Sequence, residues 1–151
     1  MITIQVACET DAPSPVSEIA TQLLLDVFTS EGFETVECTL IFTGDDYLSD
    51  LKKQFFQVDQ FTDVIAFRLN DYAEQSVEGE IYISLPRAQE NARIYNEPFA
   101  KEVARLIIHG GLHLLGFNDK TDLEQQAMRK KEEEYLIRFD WNKLFIESEM
   151  K

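Results

Sequence analysis

Basic residues are missing from the first third of this sequence. Residues 1–51 contain ten acidic side chains and no lysine or arginine. The whole chain of 151 residues has 28 acidic and 14 basic side chains, which gives a formal net charge of −14. Such a charge disfavours binding to nucleic acids, because contacts to phosphates supply most of that affinity. A surface that faces phosphates must therefore come from residues 52–151.

Long apolar runs and paired cysteines are missing as well. The longest apolar run spans residues 106–117, whereas a membrane-spanning helix needs about 20 apolar residues, so this run predicts a buried core helix. The first residues contain no basic segment followed by a long apolar one, and we expect no signal peptide. The two cysteines, Cys8 and Cys38, form no CxxC pair. This favours a reducing compartment, and we expect a cytoplasmic protein without a membrane partner.

The sequence contains the pattern of one domain over residues 1–151 in which strands and helices alternate. Strands are predicted at residues 2–6, 35–42, 62–69 and 80–85. Helices are predicted to start at Ser14-Pro15, at residue 45, at residue 86, at Asn96 as an N-cap, and at a Thr-x-x-Glu capping box over residues 121–124. We predict an α/β (α+β) fold with a single mixed β-sheet packed by helices.

The chain has two histidines, His109 and His113, which lie four residues apart in the predicted core helix. In a helix this spacing places both imidazoles on one face, with their Cβ atoms about 5–6 Å apart. Two ring nitrogens at this separation can both reach one metal ion at about 2.0–2.1 Å. The spacing therefore predicts two ligands of a metal site.

Glycines accompany the histidines, and a carboxylate follows them. Gly110 and Gly111 lie inside the helix, where each costs about 1 kcal/mol relative to alanine, and Gly116 can end the helix with a positive φ. Asp119 comes three residues later, a distance of about 10 Å when extended, so its carboxylate can fold back over the last helical turn. We predict that Asp119 and the two histidines bind one metal ion and leave its fourth position open, which is typical of catalytic sites.

The same residues have simpler interpretations. Two buried histidines can be core residues whose hydrogen bonds are satisfied, and helical glycines can serve close packing against a neighbouring element. Asp119 can be a solvated loop residue or the cap of the following helix.

The last predicted helix contains a run of charges at residues 129–134, with three basic side chains followed by three acidic ones. We interpret this run as a solvated face whose charges pair with one another. We assign it no chemistry.

Three segments resemble the YbeY family of bacterial endoribonucleases that mature ribosomal RNA. Residues 109–119 read His-Gly-Gly-Leu-His-Leu-Leu-Gly-Phe-Asn-Asp and resemble the family signature His-Gly-x-Leu-His-Leu-x-Gly-x-x-His/Asp. Residues 59–67 read Asp-Gln-Phe-Thr-Asp-Val-Ile-Ala-Phe and resemble Asp-x-x-Thr-Asp-Val-Leu-Ser-Phe. Residues 79–84, followed by the Asn-Ala of 91–92, resemble Gly-Asp-Ile-x-Ile-Ser and a later Asn-Ala.

The resemblance, which covers approximately residues 45–140, implies a compact fold with a metzincin-like metal-binding helix. It implies a single Zn²⁺, or another divalent metal, bound by His109, His113 and Asp119, with a metal-bound water as the catalytic group. The implied activity is hydrolysis of single-stranded RNA in 16S rRNA 3′-end maturation and in ribosome quality control. The implied partners are ribosomal RNA, the small ribosomal subunit and assembly factors.

Two positions depart from the family pattern. Asp119 stands where many members have a histidine, so the site is less positive and should acidify bound water less. Phe56 stands where the usual motif has an arginine that is thought to hold substrate near the metal. Arg68, just after the matched strand, and Lys120, beside the third ligand, are candidate substrate-binding residues in its place, with solvated surface charge as the alternative for both.

Three other functions use similar residues. A zinc metalloprotease of the zincin type has a glutamate directly after the first histidine as general base, and Gly110 occupies that position here. A non-haem iron oxygenase also uses two histidines and a carboxylate, although we do not expect both histidines on one helix there. A non-catalytic ribosome assembly factor with a structural metal suits the acidic composition, because it could dock on basic ribosomal proteins.

Overall fold

The computed structural model describes residues 1–10, 14–56 and 63–145, without the side chains of Phe55 and Phe56. The strands are β1 (Ile2–Cys8), β2 (Val36–Thr43), β3 (Val64–Arg68) and β4 (Val77–Ser84). The helices are α1 (Ser17–Ser30), α2 (Asp45–Phe56), α3 (Leu85–Tyr95), α4 (Phe99–Leu114) and α5 (Asp122–Arg138), followed by a 3₁₀ turn at Trp141–Lys143.

The four strands form one mixed sheet in the order β1-β2-β4-β3. β1, β2 and β4 run parallel, and β3 runs antiparallel to β4 at the edge. Helices cross between the parallel strands, as parallel pairing requires. The predicted α+β fold with a single mixed sheet is confirmed.

Helix α4 is the central helix, since it packs against β3 and β4 as well as α1, α3 and α5. Its two glycines allow this close approach. A Cβ atom on Gly110 would lie 2.6 Å from Ile81 Cγ2 in β4, and one on Gly111 would lie 3.0 Å from Leu24 Cδ2 in α1. The helical glycines thus serve packing on both sides of α4. Within the described parts of the chain, no helix is both long enough and apolar enough to cross a membrane.

Two predicted helix starts are wrong. α1 begins at Ser17 rather than at Ser14-Pro15, because Val16 is extended and its N–H donates to the carbonyl of Leu144 at 2.6 Å. Asn96 ends α3 in the left-handed conformation, with φ 54°, instead of capping α4. Asparagine tolerates this conformation better than most residues, and Pro98 precedes α4 in its place.

Candidate metal centre

The C-terminal half of α4 brings the two histidines together. The ring centroids of His109 and His113 are 4.6 Å apart, as the four-residue spacing predicts. Because the backbone between them is buried in the core, the position of both rings follows from the packing of α4 against the sheet.

A tight turn after α4 returns the chain to the histidines. Gly116 adopts φ 109°, its N–H donates to the carbonyl of His113, and the N–H of Phe117 donates to the carbonyl of Leu112. These two bonds form a Schellman motif, which requires the left-handed residue that glycine supplies. The turn places Asp119 beside the end of the helix.

The carboxylate of Asp119 faces both imidazoles. Its Oδ2 lies 3.4 Å from Nε2 of His109, and its Oδ1 lies 3.3 Å from Nε2 of His113. The nearest ligand atoms of the three residues all lie within 4.8 Å of one another. The sequence prediction that these three side chains form one cluster agrees with this geometry.

The separations fit a metal site. Ligands of a tetrahedral Zn²⁺ at about 2.0–2.2 Å lie about 3.3–3.5 Å from one another, whereas N–H···O hydrogen bonds are commonly about 2.7–3.2 Å. The side chains of His109, His113 and Asp119 are 16%, 29% and 36% exposed. The cluster is therefore partly shielded from bulk water and partly accessible to it.

The structure excludes one of the alternatives for Asp119, the cap of the following helix. The cap of α5 is Thr121, whose hydroxyl accepts from the N–H of Glu124, while the Glu124 side chain accepts from the N–H of Thr121. The predicted capping box is confirmed, and Asp119 does not cap α5.

The interpretation of residues 129–134 as a solvated, self-paired face is wrong for two of them. Glu132 is only 3% exposed, and its Oε2 lies 2.6 Å from Nδ1 of His109. Lys131 reaches across to Glu31, the C-cap residue of α1, at 3.0 Å. A signal for Glu132 existed in the sequence, because it shares a helical face with the apolar residues Met128, Tyr135 and Leu136. A charge on an apolar face requires a buried partner.

Arg105 connects Glu132 to a second buried carboxylate. Its Nη1 donates to Glu132 at 3.2 Å, and its Nε and Nη2 donate to Glu102 at 2.8 Å and 2.7 Å. Burial alone would lower the pKa of the Arg105 guanidinium, but the bonds to Glu102 and the charge of Glu132 outweigh it and raise that pKa. Asn91 donates to Glu102 from the other side, at 3.2 Å. The cation stays charged and holds both carboxylates in place.

The predicted substrate-binding residues lie at different levels of exposure. The Arg68 guanidinium donates to the carbonyl of Leu114 at 3.0 Å, to Asn70 at 2.7 Å, and to three further carbonyls of the loop that follows β3. Lys120 is exposed next to Asp119. The side chain of Phe56 and the matched residues Asp59 and Thr62 lie outside the described residues.

The position that carries the general base in zincin metalloproteases faces the sheet. Because a Cβ on Gly110 would already lie 2.6 Å from Ile81, a glutamate at this position would collide with β4. The packing of α4 therefore excludes the zincin arrangement at His109.

Comparisons with known proteins agree with the resemblance that the motifs indicate. The model of the family described as endoribonuclease YbeY matches residues 4–140. Proteins named endoribonuclease YbeY are similar, including one from Amoebophilus asiaticus at 42% identity over 83% of each chain. Another, from Chlorobium limicola, is 38% identical over 81% of this chain and 83% of its own. The solution structure of a Thermotoga maritima protein has a TM-score of 0.61 at 29% identity and covers 89% of this chain and 87% of its own. This chain belongs to the endoribonuclease YbeY family, whose name describes a hydrolase acting on RNA.

Proposed function

We propose that this protein is a zinc-dependent endoribonuclease that cleaves single-stranded RNA at the cluster of His109, His113 and Asp119. The observation that supports this function best is the pair of 3.3 Å and 3.4 Å separations between the Asp119 oxygens and the two Nε2 atoms. Three ligands on one side of an ion leave its other side open, as in catalytic zinc sites.

Each part of the cluster has a defined role in this proposal. The Nε2 atoms of both histidines and the Asp119 carboxylate would hold the ion, and the partial exposure of His113 and Asp119 would give a phosphodiester access to it. When bound, a divalent ion supplies Lewis-acid polarisation of water and of the phosphate. Because Gly110 leaves no carboxylate next to His109 in sequence, the chain lacks the zincin base that peptide hydrolysis uses.

The test is cleavage of single-stranded and duplex RNA by the purified protein and by the variant His113→Ala. We expect the wild-type protein to cleave the single strand, to stop when a chelator removes the metal, and to recover when Zn²⁺ is returned. We expect His113→Ala to be inactive and to keep the far-UV circular dichroism of the wild type.

The control is Gln126→Ala, which truncates an exposed residue of α5 and should retain activity. Cleavage that survives metal removal would exclude this mechanism. Elemental analysis of the purified protein identifies the metal, and reconstitution with Mn²⁺ and Co²⁺ tests whether zinc is required.

Lys120 and Arg68 are proposed to contact the RNA phosphates. The exposed Lys120 is placed to turn toward a strand bound at Asp119, whereas Arg68 also anchors the end of α4 through its hydrogen bond to the Leu114 carbonyl. We expect Lys120→Ala to raise KM with little change in kcat, and to lower the salt slope of binding by about 1. An unchanged KM would exclude Lys120 as a phosphate contact.

We further propose that the substrate is precursor 16S rRNA, cleaved near its 3′ end in the cytoplasm, during maturation and ribosome quality control with the small subunit and assembly factors. Family membership supports this assignment. A synthetic RNA that spans the 3′ end of mature 16S rRNA and the precursor sequence after it should be cut at one position. Scattered cuts along this RNA would contradict the proposed substrate.

A non-catalytic assembly factor with a structural metal is the second candidate, and the absence of basic residues from residues 1–51 favours it. The acidic surface would dock on basic ribosomal proteins. In that case His113→Ala loses its fold when the metal is lost, and the wild type binds ribosomal subunits without cleaving RNA.

A further inference from the structure

Glu132 is a buried charge next to the proposed metal centre and has no role in the mechanism above. It lies on α5, 23 residues after His109. A carboxylate that is only 3% exposed is costly unless its charge is paired. Both of its oxygens have partners, since Oε2 lies 2.6 Å from Nδ1 of His109 and Oε1 accepts from Arg105.

The contact with Glu132 determines which ring nitrogen of His109 has a lone pair available to bind a metal. A neutral imidazole has a proton on one nitrogen and a lone pair on the other. An ionised carboxylate accepts hydrogen bonds and donates none, so the contact places the proton on Nδ1. The lone pair then lies on Nε2, which is the atom that faces Asp119 at 3.4 Å.

The same contact fixes the rotation of the ring, and a rigid support stands behind it. Arg105 uses Nε and Nη2 to hold Glu102 and has Nη1 left for Glu132. Glu102 is itself buried and accepts from Asn91 of α3. Glu132 therefore cannot turn away from His109 without leaving Arg105.

We propose that Glu132 is a positioning residue of the metal centre, which fixes His109 as an Nε2 ligand while Arg105 fixes Glu132. This inference rests on the proposed metal site and deepens it by adding a fourth side chain that does not touch the metal. Carboxylates that accept from a metal-binding histidine are typically worth about 10–100-fold in metal affinity.

The first test measures zinc affinity by competition with a chromophoric chelator in the full chain. We expect Glu132→Leu, which has similar volume and no acceptor, to weaken zinc binding about 10–100-fold. Glu132→Gln keeps an acceptor oxygen, and we expect it to lose less zinc affinity than Glu132→Leu. Glu133→Gln, which removes the neighbouring exposed charge, is the matched control and should bind zinc like the wild type.

The second test measures the tautomer of His109 by ¹⁵N NMR of the metal-free protein, at a pH where both imidazoles are neutral. We expect protonated Nδ1 in the wild type and in Glu133→Gln, and a mixture with protonated Nε2 in Glu132→Leu. If the wild-type protein binds no zinc, the proposed metal centre is wrong. The His109 tautomer would still show whether Glu132 orients the ring.

Circular dichroism checks that each variant is folded. If Glu132→Leu does not fold, the zinc affinity and the His109 tautomer of Glu132→Gln test the proposal. The proposal is overturned if the folded variants at Glu132 bind zinc as tightly as the wild type and keep its His109 tautomer. A purely structural Glu132 would lower the unfolding temperature of the metal-free protein and leave both measurements unchanged.

Discussion

Burial determines the reactivity of the two cysteines at the scale of single residues. Cys38 in β2 is 3% exposed, and burial, together with the nearby charge of Glu80, raises the pKa of its thiol to about 12. Cys8 is half-buried in the edge strand β1. Since the thiolate is the reactive form, the raised pKa leaves Cys38 neutral and inert at neutral pH.

We expect iodoacetamide at about pH 8, near the pKa of a free thiol, to label Cys8 in the native protein and Cys38 only after unfolding. Mass spectrometry of the peptides measures both rates, and a sample in urea is the control that should label both. Equal labelling of the two cysteines in the native state would contradict the burial of Cys38.

A second residue-scale prediction concerns the glycines of α4. Alanine at Gly110 would press on Ile81, which is held in the central strand β4, and overpacking of this kind costs about 1–3 kcal/mol. Because alanine regains about 1 kcal/mol in helix propensity, we expect a net loss of up to about 2 kcal/mol in the free energy of unfolding. Urea denaturation measures it.

Gly111→Ala is the matched comparison for that experiment. Its nearest neighbour is Cδ2 of Leu24, the end of a flexible side chain, at 3.0 Å. We expect a smaller loss of stability than for Gly110→Ala. If the two variants were equally stable, the close packing of α4 on β4 would not be the reason for Gly110.

At the scale of elements, Arg105 forms a partly buried ionic link between α4 and α5. Glu102 lies one turn before it on α4, and Glu132 lies opposite on α5. Both carboxylates are buried, and neither has a second lysine or arginine within salt-bridge distance among the described residues. The guanidinium thus adds an ionic link to the apolar packing between these two helices.

We expect Arg105→Met to lower the free energy of unfolding by about 3 kcal/mol, because it leaves two buried carboxylates without their cation. Arg129→Met, at an exposed position of α5, is the control and should change stability little. The thermal unfolding temperatures of both variants, compared with that of the wild type, measure these changes in stability. A stable Arg105→Met protein would mean that the two carboxylates need no cation.

The sequence could predict features that lie within one helix and its turn, but not features that depend on how two helices pack. The cluster of His109, His113 and Asp119 was predictable because it is local, built from one helix and the turn that Gly116 allows. Its link to Glu132 was not, because it depends on how α4 and α5 pack in three dimensions. The predicted starts of α1 and α4 were wrong, because a distant carbonyl at Leu144 holds Val16 outside α1 and the left-handed Asn96 ends α3 instead of capping α4.

At the scale of the whole molecule, the net charge of −14 opposes the approach of RNA. Part of this charge lies on the sheet, where Glu37 and Glu78 are exposed at paired positions of β2 and β4. An RNA strand reaches the proposed site against long-range repulsion, and short-range contacts near the metal must then hold it.

We expect the association rate with short single-stranded RNA to increase when ionic strength rises from about 0.01 M to about 0.1 M, because the Debye length falls from about 30 Å to about 10 Å and screens the repulsion. Stopped-flow measurements with a labelled strand give this rate, and an uncharged backbone analogue should show no such increase. A rate that falls with salt would show that a basic surface dominates the encounter.

The division of the site between two parts of the chain has a thermodynamic consequence. Both histidines belong to α4, whereas Asp119 and Glu132 belong to the segment that follows Gly116. An ion that is held by both parts ties the C-terminal segment to the core, and linkage requires that a well-docked segment strengthens ion binding by the same amount. Slower amide hydrogen exchange along α5 in the presence of zinc would make that reciprocity visible.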